Sequence, residues 1–195
     1  MNLSSLNRRL RDVNLKLMRI AFLSKILAVI FALLISVSNT VYADASREYQ
    51  LKAAYILNFA RFIYWPSGSF SLAKDEFNIC VYGKNPFGKN LEYLLSKKVQ
   101  DKSIKINYKE DISDIAECHI LYISESGIKN FYKMSSTVPR NILTVSDVKG
   151  FGTKGGMIEF IRVDNKIKFL INVTQSAKSG IKYRSQLLEV AESLK

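Results

Sequence analysis

The chain has 195 residues, of which 48% are apolar and 11% are aromatic. This composition is typical of a folded globular protein and excludes a disordered or collagen-like chain. The formal net charge is +12 at pH 7, so a nucleic-acid, membrane-surface or acidic partner has to be weighed.

The first forty or so residues have the three parts of a secretory signal peptide. Six basic residues and one acidic residue precede or border an apolar run, ILAVIFALLISV, over residues 26–37. Val41-Tyr42-Ala43 then places small or aliphatic residues at the two positions that signal peptidase recognises. The apolar run is shorter than the roughly 20 residues that a membrane-spanning helix needs. We therefore predict a Sec signal peptide over residues 1–43, cleaved after Ala43, and export from the cytoplasm.

Two alternatives stay open for this segment. An uncleaved segment would act as a membrane anchor, although a soluble-looking domain follows it directly. Translation from Met18 would give a more usual start for a signal peptide. In each case residues 1–43 lie outside the folded domain, which we place at residues 44–195.

Removing residues 1–43 weakens the case for a nucleic-acid partner. The rest of the chain has 23 basic and 16 acidic residues, a net charge of about +7. Its lysines are scattered singly apart from the Lys97-Lys98 pair, whereas nucleic-acid-binding proteins gather basic residues on one stripe or arm. We expect no nucleic-acid partner, and favour anionic lipid or an acidic protein instead.

Both cysteines, Cys80 and Cys118, lie in the exported part of the chain. An oxidising compartment favours one disulfide between them. Two buried free thiols are the alternative.

The exported part shows no linker, repeat or low-complexity tract, so we predict one domain. A helix that is apolar on two faces is predicted over residues 47–64, where Trp65-Pro66 ends it. Strands and helices then alternate. The predicted strands cover 77–82, 104–108, 119–124, 142–146, 157–163 and 167–171, and the predicted helices cover 87–97, 111–117, 128–134, 173–178 and 184–194. We expect Leu91, Leu94 and Leu95 to face inward on the first of these helices, and Leu187, Leu188, Ala191 and Leu194 on the last.

This order of elements predicts an α/β layered sandwich. A mixed, mainly parallel sheet is flanked by helices, because strands that alternate with helices pair in parallel. The last two strands are joined at Asp164-Asn165, a hairpin turn signal, and form a C-terminal β-hairpin at one edge of the sheet.

Known catalytic and cofactor motifs are weak or missing. Gly150–Gly155 matches G-x-G-x-x-G, but a predicted strand follows it, and the dinucleotide motif needs a helix there. A tight loop before the hairpin is our interpretation, with a ligand-closing loop as the alternative. His119 is the only histidine, and the acids Asp147, Glu159 and Asp164 are dispersed. We predict no catalytic residue, metal or cofactor, and hence no enzyme.

Five polar or basic residues stand among apolar ones and form a candidate ligand-binding set. Asn58 and Arg61 share one face of the first helix, which is predicted to be buried. Buried polar groups must be satisfied by internal hydrogen bonds or by a ligand. Asn172 follows the last strand, with Lys182 and Arg184 further on. If a ligand binds these residues, the arginines favour an anionic or planar group.

Five segments, taken in order, resemble the YfiR family of periplasmic proteins, also called YfiR/HmsC-like. The resemblance covers about residues 47–193, and five segments in the same order make it specific. They are LKAAYILNFARFIYWP, ICVYGKNPFGKNLEYLL, ECHILYIS, ILTVSDVKGFGTKGGMIEFI and FLINVTQSAKSGIKYRSQLLEVA.

The resemblance implies regulation. Proteins similar to YfiR lie in the periplasm as dimers and hold a membrane-bound diguanylate cyclase, a GGDEF protein, inactive through its periplasmic sensor domain. Relief of this repression raises cyclic di-GMP and promotes biofilm formation. A small aromatic or nucleotide-like ligand and the Cys80–Cys118 disulfide are also implied. The second disulfide of the better-known member has no counterpart here, so redox control through it does not carry over.

Two further hypotheses differ in class from a cyclase repressor. One is a periplasmic small-ligand-binding protein that reports to another membrane sensor or transporter. The other is an exported enzyme, which would require acids, or Arg61 and Asp147, to converge in a deep cleft.

Overall fold

The computed structural model describes residues 46–70 and 75–193, together with Met18, residues 22–25 and Leu27. The chain divides into two units, residues 1–45 and 46–195. In the first unit the described residues are helical and exposed. The rest of the predicted signal peptide lies outside the described residues, so its cleavage stays a prediction. Among the described residues no helix has the length and hydropathy that a membrane span requires.

The second unit is built on strands that belong to two sheets. An eight-stranded sheet has the order β10-β8-β7-β6-β5-β2-β4-β3, and β1 and β9 form a separate antiparallel pair. The strands are β1 (Ile63–Tyr64), β2 (Glu76–Tyr82), β3 (Lys98–Val99), β4 (Lys102–Lys109), β5 (Ile120–Ile123), β6 (Leu143–Ser146), β7 (Ile158–Val163), β8 (Lys166–Ile171), β9 (Lys182–Tyr183) and β10 (Glu192–Ser193).

The sheet is mainly parallel, as predicted. Its neighbours β4, β2, β5, β6 and β7 all pair in parallel. The hairpin prediction is also confirmed, because β8 runs antiparallel to β7. Ile158 pairs with Ile171 at one end of the hairpin, and Val163 pairs with Lys166 at the other. Asp164 and Asn165 both have positive φ, 48° and 58°, as the favoured two-residue hairpin turn requires.

Helices and turns cover both faces of the sheet. Helix α1 is formed by residues 46–61. The others are α2 (Ile128–Met134), α3 (Val173–Lys178) and α4 (Ser185–Glu189), with 3-10 turns at Glu92–Ser96, Ser135–Thr137 and Gly152–Lys154. The predictions for α2 and α3 are confirmed to the residue.

Two cores lie on opposite faces of the sheet, which gives the predicted layered sandwich. Ile79 and Val81 of β2 belong to the core beneath α1, whereas Cys80 and Tyr82 belong to the core beneath α2. This alternation follows from the two-residue period of a strand. In the first core Phe59 of α1 packs its ring against β8, 4.9 Å from the ring of Phe169.

Strand pairing with distant residues shortens two of the predicted helices. The helix predicted over residues 47–64 ends at residue 61, because Ile63–Tyr64 pairs with Lys182–Tyr183 as β1 and β9. The helix predicted over residues 184–194 stops at Glu189, because Glu192–Ser193 joins the sheet beside β8. The prediction that Leu188 faces inward is wrong, since 43% of its surface is exposed.

Two other predicted helices are not α-helical. Residues 87–97 contain only the 3-10 turn, and Leu95, which we expected inside, is 53% exposed. Residues 111–117 form turns, because the Asp111 side chain accepts a hydrogen bond from the Ser113 N–H at 2.8 Å and so favours a local turn over a helix.

Cys80 and Cys118 form a disulfide, which settles the choice between a bridge and two free thiols. Their Cα atoms are 5.8 Å apart, within the usual range, and 38 residues separate them in the chain. The bridge joins β2 to the residue two positions before β5, inside the core beneath α2. It therefore ties together the two strands at the middle of the parallel sheet.

We predict that the double variant Cys80→Ser, Cys118→Ser is less stable than the wild type by about 3–4 kcal/mol, since the bridge restricts the unfolded chain. Urea unfolding would measure this difference. Wild-type protein unfolded with reductant is the control and should match the variant. A difference below about 1 kcal/mol would mean that the bridge adds little to the sheet.

Candidate functional site

A cleft lies where the direction of strand order reverses in the parallel sheet. The chain passes from β2 to β4 on one side, and then returns to place β5 and β6 on the other side of β2. In open α/β sheets this switch point, at the carboxyl ends of the strands, is the usual place for a ligand. The cleft has a volume of about 720 Å³, within the range of small-molecule sites.

Three loops and helix α1 line this cleft, which we call the switch-point cleft. Residues 84–86 follow β2, residues 124–126 follow β5, and residues 147–149 follow β6. Tyr49 of α1 completes the lining. Most of these side chains are polar, so the cleft suits a polar ligand.

The loops after β2 and β5 approach each other closely at Gly83. Its φ is +88°, and a Cβ atom there would lie 2.4 Å from Ser124 Oγ and 2.6 Å from Ser126 Oγ. Glycine avoids both the strained backbone and the clash. The N–H of Lys84 donates to Ser126 Oγ at 2.8 Å, so this wall of the cleft is held in place by direct hydrogen bonds.

A buried ion pair joins helix α1 to the floor of the cleft. The Nζ of Lys52, whose side chain is 3% exposed, lies 2.6 Å from Asp147 Oδ2 and 2.6 Å from Glu48 Oε1. Tyr49 Oη donates to the same Asp147 oxygen at 2.9 Å. Glu48 also pairs with Arg162 of β7. The network thus contains two positive charges, on Lys52 and Arg162, and two negative charges, on Glu48 and Asp147, so its net charge is zero.

The network sets the charge state of Asp147. Burial by itself raises the pKa of this carboxyl, but the hydrogen bond and charge of Lys52 outweigh it, so the pKa lies below its usual value. Burial and the nearby Asp147 charge raise the pKa of both Tyr49 and Tyr122. At neutral pH Asp147 is therefore an anion and the two tyrosines are neutral.

The structure divides the candidate ligand-binding set into four exposed residues and the partly buried Asn172. The assumption that Asn58 and Arg61 are buried is wrong, because both are exposed on the outer face of α1. Lys182 and Arg184 are also exposed, and the Arg184 N–H donates to Phe62 O at 2.9 Å. The end of α1 and the β9 strand are thus neighbours, and we call the exposed side chains there the β1–β9 patch: Asn58, Arg61, Lys182 and Arg184.

Asn172 has an internal role instead. Its Oδ1 accepts from the Gln175 N–H at 2.9 Å and caps α3, and its Nδ2 donates to Gly152 O at 2.7 Å. Both ends of the amide are therefore used within the protein. The internal explanation that we weighed at the outset holds for this residue.

The glycine-rich segment is a loop before a strand, as interpreted. The buried carboxylate of Glu159 accepts hydrogen bonds from the N–H groups of Gly150 and Gly152, at 2.8 and 2.9 Å. A side chain of the protein thus takes the position that a phosphate takes in dinucleotide-binding loops.

His119 is a core residue. Its Nδ1 accepts from the Asn78 N–H at 2.9 Å, and its ring stacks on Phe70 and Phe77. Burial lowers its pKa, so it is neutral at pH 7.

The sequence pattern did not predict the ion pair at the floor of the switch-point cleft. Lys52 stands within an apolar helix, and its partner Asp147 lies 95 residues away, so no spacing links them. Asp147 pairs with Lys52, and not with Arg61 as the enzyme hypothesis required. Among the described residues no three His, Cys, Asp or Glu side chains converge as metal ligands would.

Fold and site together define an α/β domain with a parallel sheet and an open polar cleft at its switch point. The profile of the family described as YfiR/HmsC-like matches residues 49–192. The chain therefore belongs to the YfiR/HmsC-like family, as the five sequence segments indicated. No curated protein matches it.

We predict that Lys52→Met lowers the free energy of unfolding at pH 7 by about 3 kcal/mol, because it leaves the Asp147 carboxylate without its buried partner. The control Lys105→Met removes a lysine that is 57% exposed and pairs with Glu76, and should cost under about 1 kcal/mol. Urea unfolding would compare the two. Equal losses would contradict the importance of the buried pair.

The stability of Lys52→Met should also depend on pH differently from that of the wild type. A carboxyl whose pKa is lowered by folding stabilises the protein above its unfolded pKa of about 4 and loses this effect as pH falls through its folded pKa. The wild type therefore keeps the contribution of Asp147 between pH 7 and 5. In Lys52→Met the hydrogen bond from Tyr49 remains, but the ammonium group that outweighs burial is gone, so the pKa of Asp147 should rise relative to the wild type. The variant should therefore gain stability relative to the wild type as pH falls from 7 to 5.

Proposed function

We propose that the protein is a periplasmic regulator that binds the periplasmic sensor domain of a membrane-bound diguanylate cyclase and represses it. The observation that carries this proposal is the family match over residues 49–192. Repression would keep cyclic di-GMP low and limit biofilm formation. The protein would act without catalysing a reaction, and would work as a homodimer.

Three features of the chain support this proposal. The amino-terminal segment has the pattern of a secretory signal, and the Cys80–Cys118 disulfide suits an oxidising compartment. The charged groups around Asp147 form a balanced network, in which the buried Lys52 is held in two ion pairs. Such an arrangement supports a binding role for the cleft.

The β1–β9 patch is the part of the candidate ligand-binding set that we still propose as a ligand or partner surface. Arg61, Lys182 and Arg184 are exposed and basic. The Arg184 guanidinium lies over the Tyr64 ring, 5.0 Å from its centre. An arginine held over an aromatic ring suits a planar or anionic group, such as a small aromatic or nucleotide-like ligand.

A second candidate function is a periplasmic ligand-binding protein that reports to a different membrane sensor or transporter. The volume and polar lining of the switch-point cleft favour it. The identity of the membrane protein that co-purifies with the chain separates the two candidates.

We predict that deletion of the gene raises cellular cyclic di-GMP and biofilm mass, and that the full chain expressed in the deletion strain restores both. Mass spectrometry of nucleotide extracts would measure the change. A membrane-bound GGDEF protein should co-purify with the tagged full chain. Unchanged cyclic di-GMP together with no co-purified cyclase would contradict the proposal.

A chain without residues 1–43 is the matched control. It keeps the whole folded unit from residue 46 onward but lacks the predicted signal peptide, so it should stay in the cytoplasm and fail to restore repression. Restoration by this shorter chain would place the action inside the cell and contradict a periplasmic sensor domain as the target.

A further inference from the structure

The switch-point cleft has a carboxylate acceptor at its floor. Lys52 Nζ and Tyr49 Oη both contact Oδ2 of Asp147. The side chain of Asp147 is 18% exposed and lines the cleft, so a ligand hydroxyl group can reach this carboxylate.

A buried tyrosine supports the floor from within the protein. The side chain of Tyr122 is fully buried and interacts with the side chains of Asp147 and Tyr49. The polar groups that the floor presents to a ligand are therefore those of Asp147 and Tyr49, which line the cleft.

Two lysines stand at the sides of the cleft. Lys84 follows β2 and Lys149 follows β6, with β5 between those strands. Two strand spacings separate them at the base, about 10 Å. Both are exposed, and neither has an ion-pair partner among the described residues.

The charges at the cleft favour an anion. Asp147 is neutralised by Lys52, which leaves Lys84 and Lys149 against the single acid Glu125 in the lining. All three side chains are exposed, so solvent and salt screen them alike, and a net positive charge of one remains in the lining. The polar lining argues against a purely apolar ligand, which would remove Asp147 and the serines of the β5 loop from water without offering them a hydrogen bond.

We propose that the switch-point cleft binds a small hydroxylated anion of the sugar-phosphate class. The ligand's hydroxyl groups donate to Asp147 and meet the serines of the β5 loop, and its phosphate lies between Lys84 and Lys149. This site differs from the β1–β9 patch, and its existence does not depend on the cyclase partner.

Isothermal titration calorimetry at low salt tests the proposal. The protein is residues 44–195, the chain without its predicted signal peptide, and the ligand is glucose 6-phosphate. Saturable binding is expected, with glucose alone and inorganic phosphate alone each at least about tenfold weaker, because each fragment makes half of the contacts. No saturable binding of glucose 6-phosphate at millimolar concentration, or equal affinity for phosphate alone, would overturn it.

Surface variants locate the binding without risk to the fold. Lys84→Gln and Lys149→Gln should each weaken glucose 6-phosphate binding about fivefold, as expected for loss of an exposed charge-assisted contact. Lys178→Gln removes an exposed lysine of α3 outside the cleft and should leave the affinity unchanged. An equal effect of Lys178→Gln, or a loss caused by Arg61→Gln instead, would overturn the proposed location.

Asp147→Asn tests the floor of the site. It should weaken binding of glucose 6-phosphate and glucose while leaving the affinity for inorganic phosphate unchanged or higher, since it replaces a charged carboxylate acceptor with a neutral amide that has only one acceptor oxygen. Circular dichroism would establish that the variant is folded, and the lysine variants decide the proposal if it is not. A folded Asp147→Asn protein with wild-type affinity for glucose 6-phosphate would contradict the assigned role of Asp147.

Discussion

The position of helix α1 over the sheet depends on the buried pair of Lys52 and Asp147. Apolar packing supplies most of the contact, but Phe59 and its aromatic neighbours would tolerate small shifts of the helix along the sheet. Lys52, which is 3% exposed, does not tolerate such shifts, because its ammonium group must stay 2.6 Å from the Asp147 carboxylate or become an unpaired buried charge. The pair therefore fixes which residues of α1 stand over the carboxyl ends of β5 and β6.

This constraint also explains why the cleft is open and polar. Because Lys52 neutralises it from below, Asp147 keeps its charge at the surface of the cleft. The loops after β2 and β5 are held to each other by their own hydrogen bonds. The glycine-rich loop shows the opposite arrangement, since Glu159 occupies its N–H groups. The same fold thus contains one loop whose N–H groups are occupied by a carboxylate of the protein and one cleft that is accessible to a ligand.

Much of the fold was predictable because its elements follow local periodicity. The buried strands, the hairpin at Asp164-Asn165 and helices α2 and α3 all appear in the sequence pattern. The two helices with wrong ends were shortened because distant strands compete with helix formation, as β1 and β10 do, whereas a local turn at Asp111 replaced the helix predicted over residues 111–117. The site was less predictable: the Lys52–Asp147 pair spans 95 residues, and exposure of Asn58 and Arg61 depends on which face of α1 meets the sheet.

The state of the Asp147 carboxyl tests the central claim most directly, because both the docking of α1 and the proposed acceptor in the cleft rest on it. An NMR titration that follows its side-chain carbon would measure the pKa in the folded protein. We predict a value below the ordinary 3.8, since Lys52 outweighs burial. A pKa at or above 3.8 would contradict the account, because Asp147 would then lack the buried ammonium partner on which the site is built.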